Sequence, residues 1–215
     1  MTRLPLQPWM TAPESRRVMV ALGEARFIGG CVRDALLGLP VSDIDIATPL
    51  PPGESTRRLE AAGIRVVPTG IRHGTVTAVT GGRHFEITTL RRDLVCDGRH
   101  AEVAFTDDWR ADAARRDFTV NALSCTVTGE LFDPFGGISD LASRTIRFIG
   151  SAEARIREDV LRLLRYFRFY ARYGGDVPDP AALAACSALA PLLPGLSGER
   201  VRAELFRLLG GPRPA

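Results

Sequence analysis

Asp43 and Asp45 are two carboxylates separated by one isoleucine, and the chain reaches them through a glycine pair, Gly29-Gly30, and an arginine, Arg33. The alternation Asp43, Ile44, Asp45, Ile46 is that of a strand. Residues two apart then share a face, so both carboxylates point one way and both isoleucines into the core. Neighbouring carboxylates repel unless a cation sits between them. Mg²⁺ suits such a pair, because it is held by one or two carboxylates together with substrate phosphates. Upstream, Phe27 and Ile28 end a short apolar run, Gly29-Gly30 permits a tight turn, and Cys31 to Leu37 has helical spacing with Gly38 as its stop. Strand, glycine turn and helix in that order aim backbone N–H groups and the positive end of a helix at one spot, where a phosphate can approach closely. Arg33, one turn into the helix, adds a permanent cation whose planar fork matches phosphate oxygens.

Three further groups of residues carry potential chemistry. Glu86 lies in an alternating run, His84-Phe85-Glu86-Ile87-Thr88, and is either an exposed strand glutamate or a third carboxylate beside Asp43 and Asp45. The run from Arg115 through Arg116, Asp117, Phe118 and Thr119 to Asn121 reads locally as a basic helix end followed by a Thr cap. Between Glu158 and Arg172, helical spacing sets Val160, Leu163, Leu164, Phe167 and Ala171 on one face, and Arg162, Arg165, Arg168 and Arg172 on the other, with Asp159 at the margin. Taken alone, that second arc is a solvated basic face with Asp159 and Arg162 as an i,i+3 ion pair.

The elements that must position these residues alternate between strand and helix. Thr11 to Glu14 has the form of a capping box opening a helix to about Gly23, with Val18, Ala21 and Leu22 inward. Pro51-Pro52 and Glu54 start a helix that ends at Gly63, and Ile64 to Val67 is a short strand. Thr75 to Val79 and His84 to Thr88 form a hairpin about Gly81-Gly82. Arg91 to Trp109, charged and irregular about Gly98, reads as a long loop. Asp112 leads a short helix, Leu123 to Val127 is a buried strand, and Asp133 to Gly137 is a turn-rich hinge. After Gly150 the pattern is helical, with a last helix from Ser197 to Leu209 whose Val201, Leu205 and Leu208 face inward. These patterns predict an α/β layer domain followed by a helical one.

Composition narrows the class of function. A chain of 215 residues with 45% hydrophobic and 25% charged residues is globular and accommodates one medium domain with a smaller appendage. The formal net charge of +3 permits nucleic acid as a partner without demanding it, and every basic residue is arginine. Cys31, Cys96, Cys125 and Cys186 lack zinc-type spacing, and His73, His84 and His100 are scattered, so neither a zinc site nor a disulfide framework is indicated. With no signal-like start and no long apolar run, a cytoplasmic protein is expected.

Taken in order, the motifs resemble those of the class II nucleotidyltransferases, the bacterial CCA-adding enzymes and poly(A) polymerases. The matching stretches are Gly29 to Asp34 with Asp43 and Asp45; Arg115 to Thr119 with Asn121; Asp133 to Gly137 with Asp140; Glu158-Asp159 with Arg162, Arg165 and Arg168; and, more weakly, Ser197 to Arg200. The resemblance implies a polymerase-β-like head with a mixed sheet over residues 1–148, and an all-helical neck over 149–215 that ends where the family usually continues into body and tail. It implies a template-independent tRNA nucleotidyltransferase that adds C and A from CTP and ATP to the tRNA 3′ end with release of pyrophosphate, Asp43 and Asp45 holding Mg²⁺. Poly(A) polymerase, a CC- or A-adding relative, and a non-catalytic nucleotide- or RNA-binding remnant are the alternatives. By the same resemblance, the Gly29-Gly30 turn and Arg33 grip the triphosphate, and Arg116 and Asp117, with Asn121 in the same motif, meet phosphates and ribose. Asp159 and Arg162 face the base edge, and Arg165 and Arg168 support that pocket or contact phosphate.

Overall fold

The computed structural model describes residues 3–96 and 101–211, and their side chains other than those of 93–96 and 101–103. In chain order the helices and strands are α1 (Pro8–Thr11), α2 (Pro13–Leu22), β1 (Arg26–Ile28), α3 (Gly30–Leu36), β2 (Ile44–Thr48), α4 (Pro52–Ala61), β3 (Arg65–Gly70), β4 (Thr75–Thr80), β5 (Arg83–Thr89), β6 (Arg91–Cys96) and β7 (Ala101–Phe105). Then follow α5 (Trp109–Ala114), β8 (Ser124–Cys125), β9 (Leu131–Phe132), α6 (Gly137–Ala142), α7 (Ala152–Glu158), α8 (Leu161–Tyr173), α9 (Pro180–Leu189) and α10 (Gly198–Leu209). The described chain forms two compact units, one of residues 3–93, 103–115 and 121–134, the other of 94–96, 101–102, 116–120 and 135–211.

The first unit is built on a seven-stranded sheet in the order β3-β4-β5-β2-β1-β8-β9. Only β2 and β5 run parallel, so the sheet is mixed, as expected. The β4–β5 hairpin and the alternation at Ile44 and Ile46 follow the sequence pattern: both isoleucines are buried, together with Phe85 and Ile87 of β5. Helix α3 packs on β1 and β2, and α4 covers β3 and β4. The second unit is mainly helical. Its core is aromatic, with Phe118 4.8 Å from Phe148 and 5.0 Å from Phe169 between ring centroids, and Tyr166 at 5.7 Å from Phe148.

The structure corrects several local expectations. Thr11 does not cap α2; it closes the short α1, its hydroxyl donating back to the carbonyls of Gln7 and Pro8, and Met19 rather than Ala21 completes the buried stripe. The stretch expected as a loop after Arg91 contains β6 and β7, paired as a separate two-stranded sheet, while Gly98 lies outside the described residues. A two-stranded ribbon needs no buried face, so charges can stand on both sides and the period-two signal is lost. Asp108, not Asp112, caps α5, accepting from the backbone N–H groups of Arg110 and Ala111. The single helix expected from Glu158 to Arg172 is broken at Asp159, whose backbone is extended. In α8 the buried residues are Leu163, Tyr166, Phe169 and Tyr173, a stripe turned away from the expected Leu164, Phe167 and Ala171. In α10 the buried residue is Glu204, and Leu205 is exposed.

Candidate active site

In the first unit β1 ends at Ile28 and the chain turns through Gly29, whose φ of 65° and ψ of −122° lie where a side chain is strained. The Gly29 N–H is held by the Leu123 carbonyl at 2.9 Å, and α3 starts at once with Gly30. Arg33 is buried, 7% exposed, and its guanidinium is fixed on two sides: Nε donates to Asp34 at 2.8 Å, and Nη1 to the Asn121 side-chain oxygen at 2.5 Å. Two residues from separate motifs, Arg33 and Asn121, are therefore one hydrogen-bonded unit.

The acidic pair lies beside that turn. Antiparallel pairing sets Phe27 opposite Ile46, so Asp45 is next to the end of β1, and the Cys31 thiol of α3 lies 3.7 Å from the Asp45 carbonyl. Asp43 just precedes β2, is exposed, and accepts from the Ser42 hydroxyl at 3.0 Å; Asp45 is half-buried. In the parallel β2–β5 pair, Glu86 is the register partner of Asp45, so the two side chains leave the same face of the sheet. Among the described residues, no three His, Cys, Asp or Glu side chains converge closely enough to hold an ion by themselves. An all-oxygen pair of carboxylates fits a hard cation that is shared with substrate phosphates, and does not fit a closed cage of protein ligands.

The second unit holds the other candidates. Asp117 is buried, its Oδ1 accepting from the Phe118 N–H at 2.8 Å and its Oδ2 from Arg165 Nε at 2.8 Å and Nη2 at 2.5 Å. Burial works against the Arg165 charge, but the carboxylates of Asp117, Glu204 and Asp159 outweigh it and hold the guanidinium pKa above its ordinary value. Arg116 is half-buried. Asp140, buried, accepts from the Thr119 hydroxyl at 2.5 Å and from Arg147 at 2.9 Å.

Three arginines of the α8 arc are held in ion pairs and do not form a solvated face, while Arg172 is exposed as expected. Arg162 pairs with Glu158 at 2.7 Å and donates to the Arg155 carbonyl at 3.2 Å, Arg165 pairs with Asp117, and Arg168 pairs with the buried Glu204. The expected Asp159–Arg162 ion pair is replaced by two others, because Asp159 takes Arg200 on both of its oxygens, at 3.0 and 2.9 Å. Glu204 and Arg200 were not legible as partners from local pattern alone. A glutamate on the inward side of an otherwise apolar helix stripe was the one signal available, since a buried carboxylate demands a cation.

Comparison with known proteins decides the kinship. A family model described as the poly A polymerase head domain matches residues 25–147. The chain belongs to that family. The resemblance to class II nucleotidyltransferases is thereby borne out, and so is the fold class, for which the solved relatives supply the match. Human CCA tRNA nucleotidyltransferase 1, mitochondrial, is 49% identical over 192 residues, covering 87% of this chain and 44% of that protein. The crystal structure of the Bacillus stearothermophilus CCA-adding enzyme in complex with CTP matches with a TM-score of 0.82 at 36% identity, over 94% of this chain and 50% of that one. A tRNA nucleotidyltransferase complexed with a primer tRNA and an incoming ATP analog matches with a TM-score of 0.74 at 29% identity, over 92% of this chain and 57% of that one. The chain thus spans about half the length of the curated relatives it matches.

Proposed function

We propose that the protein is a template-independent tRNA nucleotidyltransferase that adds C and A, from CTP and ATP, to the tRNA 3′ end and releases pyrophosphate. The observation that carries this reading is the adjacency of the Gly29-Gly30 turn, the locked Arg33 and the carboxylates of Asp43 and Asp45 on one edge of the first unit. The names of the similar proteins support the substrate class. The chain divides by function into a nucleotidyltransferase head over residues 1–148 and a nucleobase-reading neck over 149–215.

Asp43 and Asp45 would hold Mg²⁺, which when bound lowers the pKa of the terminal 3′-hydroxyl and neutralises triphosphate charge. Glu86, across from Asp45, adds negative potential on the same sheet face. The glycine turn lets the triphosphate approach the backbone, and Arg33, held by Asp34 and Asn121, presents its cation without rotamer freedom to lose. Arg116 meets phosphate. Asp117, oriented by Arg165, offers an acceptor to a ribose hydroxyl. Asp159 and Arg162 are oriented by separate partners, Arg200 and Glu158, and not by each other, so one supplies acceptors and the other donors to a base edge. Cytosine and adenine both present an amino donor beside a ring acceptor to such a pair. Uracil and guanine leave buried groups unpaired, at about 1–3 kcal/mol each. Arg165 and Arg168 brace this arrangement through Asp117 and Glu204.

The proposed place of action is the cytoplasm; among the described residues no helix is long and apolar enough to cross a membrane. Incubation with tRNA lacking its terminal CCA, labelled CTP and ATP, and Mg²⁺ tests the reading. Ordered gain of C, C and A supports it. Repeated A addition points to a poly(A) polymerase, and nucleotide binding without incorporation points to a binding remnant.

A further inference from the structure

The triphosphate seat fixes the side from which an attacking strand must come. In-line displacement sets the 3′-hydroxyl on the side of the α-phosphate opposite the departing pyrophosphate. The glycine turn and Arg33 lie on the β1–α3 side of Asp45, so the RNA end enters from the other side, over β5, β4 and β3. The same sheet face is closed on the β1 side, where Trp109 packs on Ile28, Ala47 and Leu90.

Beyond Asp45 that face is open and polar. Cross-strand register sets Asp45, Glu86, Thr77 and Val67 in one row across β2, β5, β4 and β3, and His84, Val79 and Arg65 in the next. Glu86, His84 and Arg65 are exposed and Thr77 and Val79 half-buried, whereas Val76, Ala78, Phe85 and Ile87 on the opposite face are buried. With strands about 4.8 Å apart, Val67 stands about 14 Å from Asp45, room for the last few nucleotides of a strand whose stacked units rise about 3.4 Å each. Arg65 pairs with no acid among the described residues. Thr69 and Thr77 share a hydrogen bond at 2.9 Å, and Thr75 and Thr88 another at 3.2 Å. Each pair holds two hydroxyl hydrogens and uses one, which leaves the second for a phosphate or a 2′-hydroxyl. The His84 ring beside Val79 offers a surface on which a base can stack, and the Arg65 guanidinium a fork for phosphate.

We propose that the open face of β5, β4 and β3 seats the unpaired 3′ end of the RNA, a base against His84 and Val79 and a phosphate on Arg65, with the terminal hydroxyl led along the Glu86 row to Asp45. Paired RNA does not suit this seat, because stacked and paired bases are hidden from a side-chain ring. The seat rests on the nucleotidyltransferase reading of the acidic pair. In that reading His84, Val79 and Arg65 hold neither metal nor triphosphate.

Fluorescence anisotropy with two RNA minihelices labelled at the 5′ end, one blunt and one carrying three unpaired 3′ nucleotides, tests this seat in the absence of nucleoside triphosphate. The tail should tighten binding to the parent protein by about fivefold or more, as expected for one stacked base. Arg65→Ala and His84→Ala alter exposed positions, so each should remove most of that gain while leaving CTP affinity and the thermal unfolding midpoint unchanged. For the tailed RNA, Arg65→Ala should also lower the slope of log affinity against log salt by about 0.7–1, and His84→Ala should not. A parent that gains nothing from the tail, or variants that keep the gain, would overturn the assignment. Incorporation of labelled CTP into the tailed RNA is scored in parallel: a tail gain without incorporation sinks the activity and leaves the seat, and incorporation without a tail gain does the reverse.

Discussion

Arg200 of α10 donates from Nη2 to both carboxylate oxygens of Asp159, at 3.0 and 2.9 Å, where the chain breaks between α7 and α8. The Asp159 Oδ1 also accepts from the Leu161 N–H at 3.1 Å, so one side chain starts α8 and ties it to α10.

Arg200→Ala should separate orientation from stability. The side chains of this pair are 36% and 27% exposed, so its loss should lower unfolding free energy by only about 0.2–1 kcal/mol in urea titrations. Discrimination of CTP over UTP, measured as the ratio of kcat/KM values, should fall by roughly tenfold, since one base-edge hydrogen bond is worth about 1–3 kcal/mol. Unchanged discrimination would remove Asp159 from base reading.

Glu204→Ala is expected to be a stability mutation. The carboxylate is 1% exposed and serves Arg168 and Arg207, and Arg168 itself is 18% exposed on its side chain. Removing the acid leaves a buried guanidinium uncompensated, for a loss of about 3–5 kcal/mol in chemical denaturation. Glu204→Gln retains acceptors and should recover part of that loss. A change below about 1 kcal/mol for Glu204→Ala would show that Arg168 finds other partners.

Cys31, Cys125 and Cys186 should resist alkylation at pH 8. Burial penalises the thiolate and pushes each thiol up to about 12. In the unfolded chain the thiols ionise near their ordinary value of about 8.5, so the native state alone holds these protons between that value and 12. Stability from these groups is complete below pH 8 and declines as pH rises through that window. Iodoacetamide labelling followed by peptide mapping should find all three unmodified in the folded protein and modified in urea.

The parts of the site that were legible in the sequence are those encoded by local period and punctuation. The Gly29-Gly30 turn, the alternation around Asp45 and the hairpin carrying Glu86 depend on neighbours within a few residues, and the sheet then adds the one non-local fact, the Asp45–Glu86 register. The helical unit was read less well, because its choices are made between elements. No glycine or proline marks the break at Asp159; an extended backbone held by Arg200 and a local N–H make it. The stripe of α10 was misread because Glu204 faces inward to meet Arg168, 36 residues away, a partnership that periodicity cannot encode. Likewise, Arg33 and Asn121 are separated by 88 residues and meet only through the sheet.

The most direct measurement is incorporation of labelled CTP and ATP into tRNA lacking its CCA end, comparing the protein with Asp45→Asn under saturating Mg²⁺. Asp45→Asn keeps the shape of the side chain and removes its charge. The parent should add two C residues and then one A, and the variant should lose roughly 10³-fold or more in kcat, as expected when several kcal/mol of charge stabilisation is withdrawn. Equal incorporation by the variant, or none by the folded parent, would contradict the assignment of the acidic pair beside the glycine turn.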